Sequence, residues 1–236
     1  MASTGFHKRY FYPEDFWAKK ATVEKIARLF VSEIEQGAYS YDFAKPFSER
    51  SSVRAGVIKV ATDKEGLDSY YTKVFSAAAI AHRKTGAPVL THTELSTYGV
   101  QQARFLIERG VVPECIIISH MDRVIDIENN LQLARIGVFL DYDTIAREKY
   151  HSDEEEVALI KEMVTCGYGE RIVLGMDTTR ERLSAYGGAV GLDYVLTEFR
   201  NTLVRAKISE QTVQIMLTKN PQHVLTFAGR EGMANA

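Results

Sequence analysis

The sequence predicts an α/β fold, a parallel (β/α) barrel that falls short of eight strands. Three observations predict it. Short apolar runs alternate with longer amphipathic ones along the chain, the pattern of repeated βα units. The run Ile116 to Ser119 is apolar until its last residue, as expected for a strand covered on both faces. Lys59, His92, His120 and Asp177 each stand just after such a run, and a parallel barrel gathers its strand ends onto one face.

The elements follow in order. Met1 to Thr4 is a strand stub. A helix runs from about Thr22 to Gln36, with Val23, Ile26, Ala27, Phe30 and Ile34 on one face and Gly37 as its stop. A polar loop, Tyr39 to Ser52, leads to the strand Gly56 to Ala61. Asp68 or Ser69 caps the next helix, which reaches Gly86. Pro88 to Thr91 is a strand, and the helix after it ends at Gly110. After Ile116 to Ser119 come a helix over Asp126 to Arg135 and the strand Gly137 to Leu140. Asp153 caps a helix whose Glu154, Glu155 and Glu156 suit the positive end of the dipole. Ile172 to Met176 is the last strand, Leu192 to Arg205 a long helix, and Ser209 opens a final helix that ends or kinks at Pro221. The tail from Gly229 is expected to fray. Five strands and a stub do not make a closed barrel, which takes about 250 residues against 236 here.

Composition narrows the class. One domain, 1–236, accommodates a chain that is 45% hydrophobic and 25% charged with net charge −2. That balance carries no electrostatic footprint for nucleic acid or an anionic membrane surface. No run approaches the ~18 apolar residues of a membrane span, and the N-terminus lacks a secretory h-region. Cys115 and Cys166 form no C-x-x-C unit and read as buried fillers in a reduced, cytoplasmic setting.

The strand-end residues carry the chemistry. Two histidines at equivalent places in consecutive βα units, with an aspartate at a third strand end, suit zinc, manganese or nickel. Lys59 loses solvation at the end of a buried strand, which fits a Schiff-base nucleophile, an ion pair or a carbamylated ligand. Beside His92, His120 and Asp177, the ligand reading uses all four. His7, His82, His151 and His223 fall in helices or polar loops and read as solvent-exposed or helix-packing. After Asp177, the loop T-T-R-E-R-L-S-A-Y-G-G offers Arg180 and Arg182 for a phosphate, or is simply a solvated basic loop. Tyr98, Tyr142 and Asp143 also stand near strand ends as candidates to line the pocket, Tyr98 for substrate binding and Asp143 with a structural alternative. G-G-A-V-G is no dinucleotide fingerprint, and no G-x-S-x-G elbow occurs.

The segments A-G-V-I-K-V-A-T, L-T-H-T, I-S-H-M-D and V-L-G-M-D resemble, in order and spacing, the phosphotriesterase-like family of the amidohydrolase superfamily. A-S-T-G-F-H with F-Y-P-E and the closing K-N-P-Q-H-V-L-T-F extend the resemblance from residue 2 to about 227. D-T-T-R-E-R-L-S-A-Y-G-G is most similar to the phosphotriesterase homology protein branch. The resemblance implies a TIM barrel of amidohydrolase type holding two divalent metal ions, zinc first, with manganese, cobalt or nickel as alternatives. It implies Lys59 as a carbamylated bridge and His92 and His120 as ligands of the more exposed metal. It implies Asp177 as ligand of the more buried metal and proton acceptor from a bridging hydroxide. The family's strand-one H-x-H pair has no counterpart, since the similarity begins at strand three; strands 1–2 are absent. A truncated chain, a gene fragment or a late start codon is therefore expected.

The implied activity is a metal-dependent hydrolase acting on a small-molecule lactone, carboxylic ester or phosphoester, with a homodimer as the family's frequent assembly. The alternatives are a non-catalytic remnant of such an enzyme and a Schiff-base aldolase using Lys59.

Overall fold

The computed structural model describes residues 1–40 and 49–229. The middle of the expected Tyr39 to Ser52 loop and the tail from Arg230 lie outside the described residues. Six parallel strands form one sheet in chain order: β1 (Ala2–Gly5), β2 (Ala55–Lys59), β3 (Val89–Leu90), β4 (Ile116–Ser119), β5 (Phe139–Tyr142) and β6 (Ile172–Leu174). Sequential order with a helical crossover at almost every step is the winding of a (β/α) barrel. Among the described residues β1 and β6 do not pair, so the sheet is an arc of such a barrel.

The predicted stub is a genuine strand, paired with β2 along its length. Gly5 fixes that pairing. At φ +120° it brings the backbone so close to β2 that a Cβ would lie 1.9 Å from the Lys59 carbonyl oxygen.

Around the arc run α1 (Trp17–Lys20), α2 (Val23–Glu35), α3 (Ser69–Thr85), α4 (Gly99–Ile107), α5 (Ile127–Ile136) and α6 (Asp153–Thr165). The chain ends in α7 (Glu198–Arg205), α8 (Glu210–Gln214) and α9 (Asn220–Val224). None of the described helices is long and apolar enough to cross a membrane. Thr22 caps α2 by accepting from the Lys25 amide, and Asp68 caps α3 by accepting from Tyr70 and Tyr71. Ile26, Ala27, Phe30 and Ile34 bury the expected face of α2.

Strand alternation sorts the core into two parts. Ile58, Ile116, Ile118 and Leu140 join the main cluster between sheet and helices. Ile117, Phe139 and Val173 belong to a separate small cluster with Val224, which α9 supplies from below. Each such side chain contributes about 1.5–3 kcal/mol on burial. Asn220 secures this floor: its buried amide donates to the carbonyls of Gly169 (2.9 Å) and Ile172 (2.7 Å). The N-P motif is thus a clamp on the start of β6.

Several boundaries differ from the sequence reading for physical reasons. Gly137 is the left-handed cap of α5, so β5 starts at Phe139 rather than Gly137. Ser152, not Asp153, caps α6, in a full capping box with Glu155. The long helix expected from Leu192 is a 3-10 turn at Tyr194–Leu196 followed by α7, with the break at Thr197. Pro221 does not end the last helix: the π turn Ile215–Lys219 precedes it and α9 continues to Val224 with the proline in its first turn, where the missing N–H is tolerated. Cys115 is buried as expected, whereas Cys166 is exposed at the C-cap of α6.

Candidate functional site

Lys59 ends β2, His92 follows β3, His120 follows β4, and Asp177 lies three residues beyond β6. All four stand at the same end of the arc. His120 (φ 65°) and Asp177 (φ 39°) both adopt left-handed backbone, which is costly for residues with a Cβ and common where side chains are aimed for function.

The histidines are the tightest part of the site. His92 Nδ1 lies 2.7 Å from His120 Nε2. The far nitrogen of each ring faces a carboxylate: His120 Nδ1 is 2.6 Å from Asp143 Oδ1, and His92 Nε2 is 3.3 Å from Glu94 Oε2. Glu94 is itself paired with Lys8. The carboxylate behind each ring favours a proton on the far nitrogen, and the 2.7 Å contact joins the two near nitrogens through one shared proton, whose place a divalent ion would take. Burial lowers the pKa of both rings: His92 falls far below the ordinary value, helped by His120 and His7, and His120 falls to about 4, helped by Arg123 and Lys59. Neutral imidazoles follow at neutral pH.

Lys59 points into the same interior. Its ammonium donates to the Thr91 carbonyl at 2.8 Å, and burial pulls its pKa down, while Asp141, Asp143 and Asp177 oppose the fall. Asp141 and Asp143 are pushed well above the carboxylate range, by burial first and then by neighbouring carboxylates. Such acid-rich surroundings, holding two neutral imidazoles and a desolvated amine, are electrically suited to a cation. Lys59, His92 and His120 are the residues that would hold a divalent ion there.

Asp177 is held by arginines on the same face. Its carboxylate accepts from Arg123 at 2.9 Å and from Arg147. Burial opposes its charge, but His120, Arg147 and Arg123 together hold its pKa below the usual value. No H-x-H pair exists in the chain to share a second ion with it.

The other candidates are dispersed. Arg182 donates to the carbonyls of Met176, Asp177, Ile145 and Ala146, so it braces two loops. Arg180 is exposed, its guanidinium 4.8 Å from the Tyr186 ring centroid. Tyr98 lines a groove with Lys64, Leu95 and Arg104, outside the histidine pair. Tyr142 is fully buried on the helix side and donates to Asn130.

Two histidines set aside in the sequence reading need correction. His7 follows β1 and packs on His92 with ring centroids 4.7 Å apart; it is neither helical nor solvent-facing. His151 is buried against Glu156 rather than exposed in a polar loop. The signal for His7 was available, since S-T-G-F-H places it after a strand stub, as T-H-T places His92. Arg123, Arg147 and Glu94 carried no comparable signal.

An arc of parallel strands with a lysine, two histidines and an aspartate at one end defines a barrel of the hydrolytic amidohydrolase type. The phosphotriesterase family model matches residues 1–225, and the chain belongs to that family. It is 33% identical over 235 residues to a phospho-furanose lactonase of Mycoplasmopsis synoviae, covering 96% of this chain and 67% of that protein. A crystal structure of the Escherichia coli phosphotriesterase homology protein, complexed with phosphate in its active site, superposes with a TM-score of 0.87 at 33% identity. That match covers 96% of this chain and 74% of the other. An amidohydrolase from Mycoplasma synoviae superposes with a TM-score of 0.92 at 32% identity, covering 97% and 67%.

Proposed function

We propose that this chain carries the metal-binding face of a hydrolase acting on a lactone, carboxylic ester or phosphoester, with phosphorylated sugar lactones as the favoured class. The observation that carries the reading is the facing pair His92 Nδ1 and His120 Nε2, each ring held from behind by a carboxylate. Kinship to a phospho-furanose lactonase and to a protein crystallised with phosphate supports the substrate class.

Lys59, His92 and His120 would hold the ion, Lys59 after carbamylation of its desolvated amine. A bound divalent ion would lower the pKa of a water and polarise the scissile oxygen. Asp143 and Glu94 orient the two rings. Asp177 would accept the proton, but its ion pairs with Arg123 and Arg147 make it a weak base at rest. An anionic group on the substrate would compete for those arginines and leave the carboxylate more basic. Arg123 is nearly buried and its Nε has no hydrogen-bond partner, so it has a donor to spare for such a group.

The full chain, produced with zinc or manganese and tested on a panel of phosphorylated lactones, should retain metal and turn one of them over. Asp177→Asn should keep the metal and lose 10²–10⁴ in rate. A native chain that retains no divalent metal would sink the reading. The arginine-paired state of Asp177 favours a second reading, a chain that binds metal and a phosphorylated ligand without turnover. Metal retained with no hydrolysis across the panel would select it.

A further inference from the structure

Behind the strand-end face lies a second group of polar side chains that the proposed hydrolysis does not use. Asp122, His151 and Glu156 each offer a ligand atom within 4.8 Å of the others. Asp122 and Glu156 are 0% exposed and His151 is 8% exposed. Asp122 Oδ1, His151 Nε2 and both carboxylate oxygens of Glu156 find no well-formed hydrogen bond outside the group and face one another instead, His151 Nε2 lying 3.2 Å from Glu156 Oε2. Buried polar atoms are rarely left so, and three residues whose ligand atoms lie within 4.8 Å of one another call for something between them.

Local structure explains how they meet. Ser152 caps α6, so His151 and Glu156 occupy the positions just outside the cap and one turn in, which normally hold a hydrophobic staple. Here an imidazole and a carboxylate replace the apolar pair. Asp122, two residues after His120, is fixed from the other side by the Thr144 amide.

The tautomer decides what the space will take. His151 Nδ1 is 3.0 Å from the Ser152 carbonyl, an acceptor only, so Nδ1 carries a proton, and in the neutral ring Nε2 presents a lone pair. That lone pair faces Glu156 Oε2 at 3.2 Å. Two lone pairs cannot face each other in a buried site without a proton or a cation between them. A tetrahedral ion with bonds of about 2.0–2.1 Å spaces neighbouring ligands by roughly 3.3 Å, close to the gap observed. Backing the ligating ring with a carbonyl is also the arrangement that metal-bound histidines use.

We propose that Asp122, His151 and Glu156 form a buried structural site for a divalent ion, for which zinc serves as the probe. The ion ties the start of α6 to the loop after β4. The segment between Thr144 and Ser152 is held at both ends by this site, and it carries Arg147, the partner of Asp177. The site shares no ligand with Lys59, His92 and His120 and does not depend on the hydrolase reading.

The test is anomalous diffraction at the zinc edge from the zinc-loaded full chain, with zinc counted per chain in solution. A peak between Asp122, His151 and Glu156 is expected. Glu156→Gln should abolish it and lower the zinc count by one, and His151→Asn should do the same if the first variant folds poorly. His92→Asn should leave this peak in place, so an empty strand-end site with an occupied buried one defeats only the hydrolase reading. No peak there at saturating zinc, or Asp122 and Glu156 drawn together around a shared proton, would overturn the proposal.

Discussion

Asp143→Ala should weaken divalent metal binding at the strand ends by ten- to hundredfold. Asp143 is the only carboxylate placed on His120 Nδ1 among the described residues, at 2.6 Å, and both side chains are buried. Without it the ring is free to move its proton to Nε2, the nitrogen that should bind metal. Losing such a support costs about 10–100-fold in metal affinity, or about 1.4–2.7 kcal/mol. Asp143→Asn keeps an acceptor and removes the charge, so the loss should sit near tenfold. The metal-free chain should behave oppositely. Burial raises the Asp143 pKa, so any stability linked to its protonation is present below the ordinary carboxylate pKa and lost as pH rises. At pH 7 the metal-free Asn variant should therefore unfold no earlier than the native chain. Zinc titration against a competing chelator, paired with thermal unfolding of the metal-free forms, reads both effects. Unchanged affinity in both variants, or a loss matched by a destabilised metal-free chain, would refute the reasoning.

Other outcomes follow from single residues. Asn220→Ala should cost about 2–3 kcal/mol in denaturant unfolding, because two carbonyls at the foot of β6 lose their donor. Gly5→Ala should cost at least about 2 kcal/mol, since φ +120° and the Lys59 carbonyl both exclude a Cβ; equal stability would contradict the β1–β2 register. His7 has its pKa lowered from 6.5 to about 4 by burial and by Lys59 and Lys8. Its folded form resists protonation, so the stability it contributes is present above pH 6.5 and lost as pH falls toward 4. His7→Asn should flatten the pH dependence of unfolding in that window by up to one proton per chain. Borohydride with a carbonyl compound should leave Lys59 unlabelled in the metal-loaded chain; labelling would favour the aldolase alternative.

The fold and half of the site were legible for one reason, the period of the pattern. Parallel strands buried on both faces read as apolar runs, and the residue after each run falls on one face, which located Lys59, His92 and His120 together. What depended on side-chain direction was not legible. Glu156 reads as the third of three dipole-pleasing glutamates, yet it turns inward while Glu155 completes the capping box. His151 precedes a cap, and nothing in its neighbours says that Asp122, from a loop 29 residues earlier, arrives opposite it. Arg182 sits where a phosphate ligand would be sought, but four carbonyls hold its guanidinium. Asp177 was placed by its motif, whereas its arginine partners come from two other loops.

The central claim, that the facing histidines are a metal site, is tested most directly by cobalt(II) added to the metal-free full chain. Nitrogen ligation should give visible d–d absorption at one equivalent beyond any signal that Glu156→Gln removes. That absorption should vanish in the His92→Asn, His120→Asn double variant while the chain stays folded. An identical spectrum in the double variant would contradict the account.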